Sequence, residues 1–355
     1  MAGVTGRQAD IAFAKFATNS WGVAASVTKG IYFSSDGGLK FSPSIVVDDA
    51  FGQVFTEQAE VGNVPPVSPN FGGVDRFDDY NYVWEALAMG SPATVTISTS
   101  AGGQTTSWQH IIDLAPNTDG LGLTAAIDKV AYVDELTSAK VTGWREELGD
   151  GGMMRQTYKT IGTYPTNISS TNTRSTVAGA TYPALGNRIF AKGGTFRMNL
   201  NTAGALGAGD VVKIESVAFE WDRPQDAPNV FGQNFVDEPA DNGFPTFRVE
   251  VSYPRLTANL ANSLHAGLRA GTAFKADLTF LGNFINSTDQ YKKLYQWPYL
   301  QLAQDGFEAP LVGANQVKPK AIFEARIAQT SPTGMAFINP FRLTRTMVNS
   351  VHAFS

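Results

Sequence analysis

Along residues 246–282 (TFRVEVSYPRLTANLANSLHAGLRAGTAFKADLTFLG) the spacing of the hydrophobic positions changes twice. Phe247, Val249, Val251 and Tyr253 alternate with Arg248, Glu250 and Ser252, the period-two signature of a half-buried strand. Pro254 breaks that run. Thr257 stands where a helix cap belongs, and Leu260, Leu264 and Leu268 then recur at helical spacing. Gly271 is placed to end the helix, because glycine takes the left-handed conformation at little cost. Phe274, Ala276, Leu278 and Phe280 alternate again, so the pattern predicts strand, helix, strand.

The helix–strand part recurs 181 residues earlier. Val83 and Leu87 stand opposite Leu264 and Leu268, Gly90 opposite Gly271, and Ala93, Val95 and Ile97 opposite Phe274, Ala276 and Leu278. This copy, DDYNYVWEALAMGSPATVTIS, predicts a helix over 78–89 and a strand over 92–99. Asp78 or Asp79 is its cap, and Tyr80, Val83, Trp84 and Leu87 form its apolar face. The shared register predicts two related domains in tandem.

Further alternation predicts a hairpin over 29–48 turning at Asp36-Gly37-Gly38 and strands at 104–113, 129–134, 139–147 and 153–161. In the second half, strands are expected around Phe196–Leu200, at 211–221 with a bulge near Ser216, and around Phe323–Ile327. Residues 290–304 read as a short helix or irregular chain. Two long excursions, 48–73 and 223–245, are acidic and aromatic; loops of that length in a compact domain serve function or bind a neighbour. The resulting division is an N-terminal arm (1–24), a first domain (25–162), a Ser/Thr-rich linker or insertion (163–188), a second domain (189–338) and a C-terminal arm (339–355).

Composition narrows the fold class. A chain of 355 residues suits two domains of the usual ~100–200 residues. With 35 Gly, 18 Pro and only 17% charged residues, β-rich domains with one short helix each are expected. The absence of cysteine excludes disulfides, zinc–thiolate sites and a cysteine nucleophile, and fits assembly in a reducing cytosol. Neither a signal peptide nor a membrane span is predicted. The net charge of −5 is uneven: residues 1–150 hold 18 acidic against 8 basic residues, and the remainder 14 against 19. An acidic part meeting a basic part would suit head-to-tail stacking, whereas gripping nucleic acid needs clustered Lys and Arg.

Candidate chemistry is sparse. His110, His265 and His352 are scattered, and no His/Asp cluster has metal-ligand spacing. Gly120-Leu-Gly122-Leu-Thr-Ala125 has the letters of a dinucleotide turn without the parallel βαβ setting. The acid pairs Asp48-Asp49, Asp78-Asp79 and Glu146-Glu147 are adjacent rather than facing, a poor arrangement for acid–base work. No enzyme, cofactor site or metal site is predicted.

The order of these segments carries a resemblance. ATNSWGVAASVTKGIYFSSDGGLKF, an acidic excursion, a helix with a strand, and KVTGWREELGDGGMMRQTYKTIG resemble one tail-tube domain; VVKIESVAFEW, an excursion, FRVEVSYPRL, a helix and FKADLTFLG resemble another. Over residues 20–345 the chain is similar to the major tail tube proteins of long-tailed, siphovirus-like bacteriophages, with the domain duplicated. The resemblance implies β-sandwich or barrel-like domains, each flanked by one short helix, in a structural virion protein. Such proteins form rings that stack into the hollow phage tail, assembled in the bacterial cytoplasm, through which DNA is ejected. Implied partners are further copies, the tape measure, tail terminator and baseplate or tip proteins, and DNA in transit. Asp48, Asp49, Phe51, Phe55, Phe231, Phe235, Phe341 and Met347 are the candidate self-association residues, since aromatics often carry interface energy. The alternatives are a carbohydrate- or receptor-binding virion-surface or fibre β-sandwich, a head or decoration protein, and a hydrolase using an acid pair.

Overall fold

The period-two runs become strands that join edge to edge in one antiparallel sheet of 16 strands. The computed structural model describes residues 10–15, 20–34, 39, 45–46, 60–61, 64–98, 106–148, 152–163, 165–230, 236–256, 267, 270–309 and 317–350. In spatial order the main path runs Lys29–Ile31, Asp10–Lys15, Leu123–Asp128, Val133–Leu148, Ser216–Asp222, Thr246–Ser252, Lys320–Ala325, Gln290–Glu308, Arg342–Met347, Ser107–Leu114, Gly90–Ser98. Met154–Gly162 branches from Val133–Leu148, and Phe274–Phe284 from Gln290–Glu308. The protein is thus mainly β, as its sequence predicts.

The two halves of the chain pair directly. Ala218 stands opposite Glu147, and Trp144 packs against Phe219 with ring centroids 5.3 Å apart. Tyr295, Trp297, Phe247 and Phe341 complete this aromatic centre; the Phe247–Phe341 centroids are 4.5 Å apart. One apolar core therefore draws on both of the expected tandem domains.

The helix Asn81–Met89 forms where predicted but is buried on every side, not on one face. It packs against Gly90–Ser98, Ser107–Leu114 and Val133–Leu148, and its Trp84 meets the rings of Phe13, Phe33, Phe71 and Tyr158. Gly90 ends it with φ 91° and donates its N–H to Ala86 O. A Cβ there would lie 2.8 Å from Ala115 Cβ, so conformation and space both require glycine. Gly271, the predicted end of the second helix, is also left-handed (φ 61°); most of that helix lies outside the described residues.

Five segments differ from the sequence expectation. Asp10–Lys15 is no arm but an internal strand, and Leu123–Asp128 is a strand where only a later one, 129–134, was expected. Ile11 to Ala14 and all of Leu123–Asp128 are buried, so these strands lack the alternation that marks a half-exposed one. Residues 165–188, within the stretch expected as a linker or an insertion, fold onto the first half. Thr173 caps the helix Arg174–Ala178, and Val177 is buried with Ala12, Val27, Ala126 and Val133. Asn172 donates to Ala25 O at 2.9 Å and accepts from Val27 N at 2.9 Å, so polar residues here satisfy the backbone. Gln290–Glu308 is a single strand of 19 residues, neither a helix nor irregular. Finally, Arg342–Met347 is no C-terminal arm: it lies between Gln290–Glu308 and Ser107–Leu114. The phase change near Ser216 needs no bulge, because the strand begins at Ser216.

Candidate functional site

Inward-facing positions normally carry apolar side chains, yet five elements here send charge to one point. Asp75 follows the strand Asn70–Val74, Glu85 lies on the helix Asn81–Met89, Glu146 on Val133–Leu148, Lys293 on Gln290–Glu308, and Arg345 on Arg342–Met347. Each is at most 1% exposed. Lys293 Nζ donates to Asp75 Oδ2 at 2.6 Å, Glu85 Oε1 at 2.9 Å and Glu146 Oε1 at 2.6 Å. Arg345 donates from Nε to Glu85 Oε2, from Nη2 to Asp75 Oδ1 and to Glu85 Oε1, and from Nη1 to Arg76 O. Trp144 Nε1 and the Tyr295 hydroxyl complete the shell of Glu146. Asp79, which accepts from Asn81 N at 2.9 Å, lies 3.8 Å from Arg345 Nη1.

Asp75, Glu85 and Glu146 offer oxygens within 4.8 Å of one another, a spacing that would suit a metal ion. Lys293 Nζ bonds to all three and so already supplies the positive charge such an ion would bring. The cluster is sealed from solvent, and what the arrangement can do is tie the helix to four strands from both halves of the chain.

Four carboxyl groups (Asp75, Asp79, Glu85, Glu146) face two cations, so neutrality requires two of the carboxyls to keep their protons. Burial raises Glu146 to about 8, with Lys293 opposing, and raises Asp79 to about 7, with Arg345 opposing. For Asp75 burial also pushes upward, but Arg345 and Lys293 outweigh it and hold the group below the usual carboxylate range. A carboxyl raised in the folded state stabilises fully below its unfolded pKa, and that contribution is lost as pH rises through the folded value. Asp79 and Glu146 therefore predict declining stability between about pH 4 and pH 8, whereas Asp75 works the other way only under more acid conditions. The urea midpoint is expected to be higher at pH 5 than at pH 8, and Glu146→Gln to shrink the difference. A midpoint flat across this range in the unmodified chain would contradict the assignment.

Of the sequence-predicted site residues, Asp48, Asp49, Phe51, Phe55, Phe231 and Phe235 lie outside the described residues. Phe341 and Met347 are corrected: they are 1% and 0% exposed and belong to the core, because their segment is an internal strand. The acid pairs divide their work. Glu146 faces inward and Glu147 outward to Arg145, as neighbours on a strand must. Asp79 joins the cluster, and Asp78 accepts from Tyr291 OH and Asn349 N, so Tyr80, not either aspartate, occupies the cap position. His110 is buried with its ring 4.5 Å from that of Tyr82. Gly120 and Gly122 precede a strand, not a helix. Lys293 and Arg345 escaped the sequence reading, although Lys293 shares the parity of Tyr295 and Trp297, and Arg345 that of Leu343 and Met347.

Among the described residues, open clefts of about 440 and 470 Å³ flank the turn Ala191–Gly193. Phe244, in the second excursion, is 94% exposed. No helix among the described residues is long and apolar enough to cross a membrane. Neither a protein-family model nor a curated protein matches the chain.

Proposed function

We propose that this chain is a structural virion protein that associates with copies of itself into stacked rings, the hollow tail tube through which a long-tailed bacteriophage passes its DNA. The observation that carries the reading is the open end of the sheet. Among the described residues Gly90–Ser98 pairs only with Ser107–Leu114, leaving a nine-residue strand with one unpaired edge. An edge of that length, holding Thr94, Val95, Thr96 and Ile97, is a template for a second chain unless it is guarded; Pro92 withholds one donor near its start. Ring closure satisfies every such edge by pairing it with the next subunit. The charge fits the same role. A chain with net charge −5 and 17% charged residues presents DNA with a wall that does not hold its phosphates.

Negative-stain micrographs of purified protein at rising concentration are expected to show rings or tubes. Deleting 48–62, within the first excursion, is expected to leave a folded, soluble chain that no longer polymerises. A monomer at every concentration by sedimentation would overturn the proposal, and unimpaired tubes from the deletion would remove that excursion from the interface.

A further inference from the structure

Phe244 and the 470 Å³ cleft lie at opposite ends of the same strands. Thr246–Ser252 pairs with Ser216–Asp222 so that Asp222 stands opposite Thr246 and Val217 opposite Val251. Phe244 precedes Thr246 by two residues, at one end. The cleft, lined by Leu148, Phe196, Val212, Ile214, Val217 and Phe280, lies at the other, where Pro254 also borders it. About 20 Å of sheet separates the ends, at roughly 3.3 Å per residue.

We propose that Phe244 of one copy inserts into this cleft on the next, a head-to-tail contact that repeats along a stack. This deepens the self-assembly reading above and rests on it in taking the occupant to be a second copy. Three observations select that occupant. The first is fit of kind: an aromatic ring left almost wholly in water matches, on an identical molecule, an unfilled cleft whose apolar residues Phe196, Ile214 and Phe280 are rimmed by Thr195, Lys213 and Glu215. The second is charge. Around Phe244 the charges Asp226, Asp237 and Asp241 are exposed and acidic; of the cations of that end Lys140 and Arg223 are buried, Lys159 is held by Glu220 and Asp222, and Arg248 is exposed. Around the cleft Lys192, Lys213 and Arg255 are exposed and have no carboxylate partner among the described residues, while Glu215 is held by Lys318 and Glu250 by Lys320. Stacking brings the acidic end onto the basic one. The third is direction. Knob and cleft on opposite ends make a heterologous contact, which leaves one of each free after every addition and so propagates.

The chain contains no cysteine, which permits a clean test. In a variant carrying Phe244→Cys and Ile214→Cys, the two thiols of one molecule are too far apart to bridge, since a disulfide needs Cα atoms within about 7 Å. Any bond joins copies. Mild oxidation of assembled protein is expected to give a ladder of covalent dimers, trimers and longer species on a non-reducing gel. A mixture of the two single variants should stop at dimers, and each single variant alone should stay monomeric. Phe244→Glu, at an exposed position, is expected to shorten the stacks seen by microscopy. If the double variant forms tubes but no ladder, or if Phe244→Cys cross-links with itself, the knob-and-cleft contact is wrong while self-assembly stands. If the unmodified chain never assembles, both readings fall.

Discussion

Replacing Lys293 with methionine is expected to destabilise the protein by about 3–5 kcal/mol, because removing one partner from a buried ion cluster leaves the others uncompensated. Methionine keeps most of the stem and removes the ammonium. Asp75, Glu85 and Glu146 then lose their common donor at sites with no access to water. Arg345 remains as the only cation of the cluster, and it reaches Asp75 and Glu85 but has no hydrogen bond to Glu146. The fold can answer by taking up another proton, so the loss should be larger at pH 8 than at pH 5. The control is Lys318→Met. That lysine pairs with Glu215 at the surface, with side chains 56% and 42% exposed, and its removal should cost about 0–1 kcal/mol. Urea midpoints of the two variants decide the matter. Equal effects would mean that the cluster does not hold the fold together.

The cluster also explains where the sequence was hard to read. Period-two alternation marks strands with one wet face, and it located Thr246–Ser252, Met154–Gly162 and most of Val133–Leu148. It fails when both faces are covered. Ile11, Ala12, Phe13 and Ala14 form a continuous apolar run, and Leu123–Asp128 hides even Thr124 and Asp128. It fails again where inward positions are charged. Lys293 on Gln290–Glu308 and Arg345 with Thr344 and Thr346 on Arg342–Met347 read as solvated residues, so two internal strands passed for irregular chain and an arm. Charges can lie inward here only because partners from distant stretches meet them, and those meetings are not encoded in local spacing. The left-handed glycines were legible for the opposite reason: Gly90 ends its helix through a backbone requirement that is local.

Treating residues 339–355 as an arm or as core leads to different outcomes, and Phe341 separates them. Its ring lies among Phe247, Tyr295, Trp297, Trp144 and Phe219 with centroids 4.5 to 6.2 Å away, and it is 1% exposed. Phe341→Ala removes those contacts and opens a cavity that rigid neighbours cannot fill, so a loss of about 3–5 kcal/mol is expected. Ending the chain after Pro340 goes further. It removes the strand that joins Gln290–Glu308 to Ser107–Leu114, takes Leu343 and Met347 from the core, and takes Arg345 from Asp75 and Glu85. That chain is expected not to fold, as read by loss of near-ultraviolet circular dichroism and of a cooperative urea transition. An arm would behave differently, since its removal would leave the urea midpoint unchanged and abolish only assembly. Were the shortened chain to unfold at the same urea concentration as the full one, the internal placement of Arg342–Met347 would be wrong, and with it the cluster that Arg345 completes.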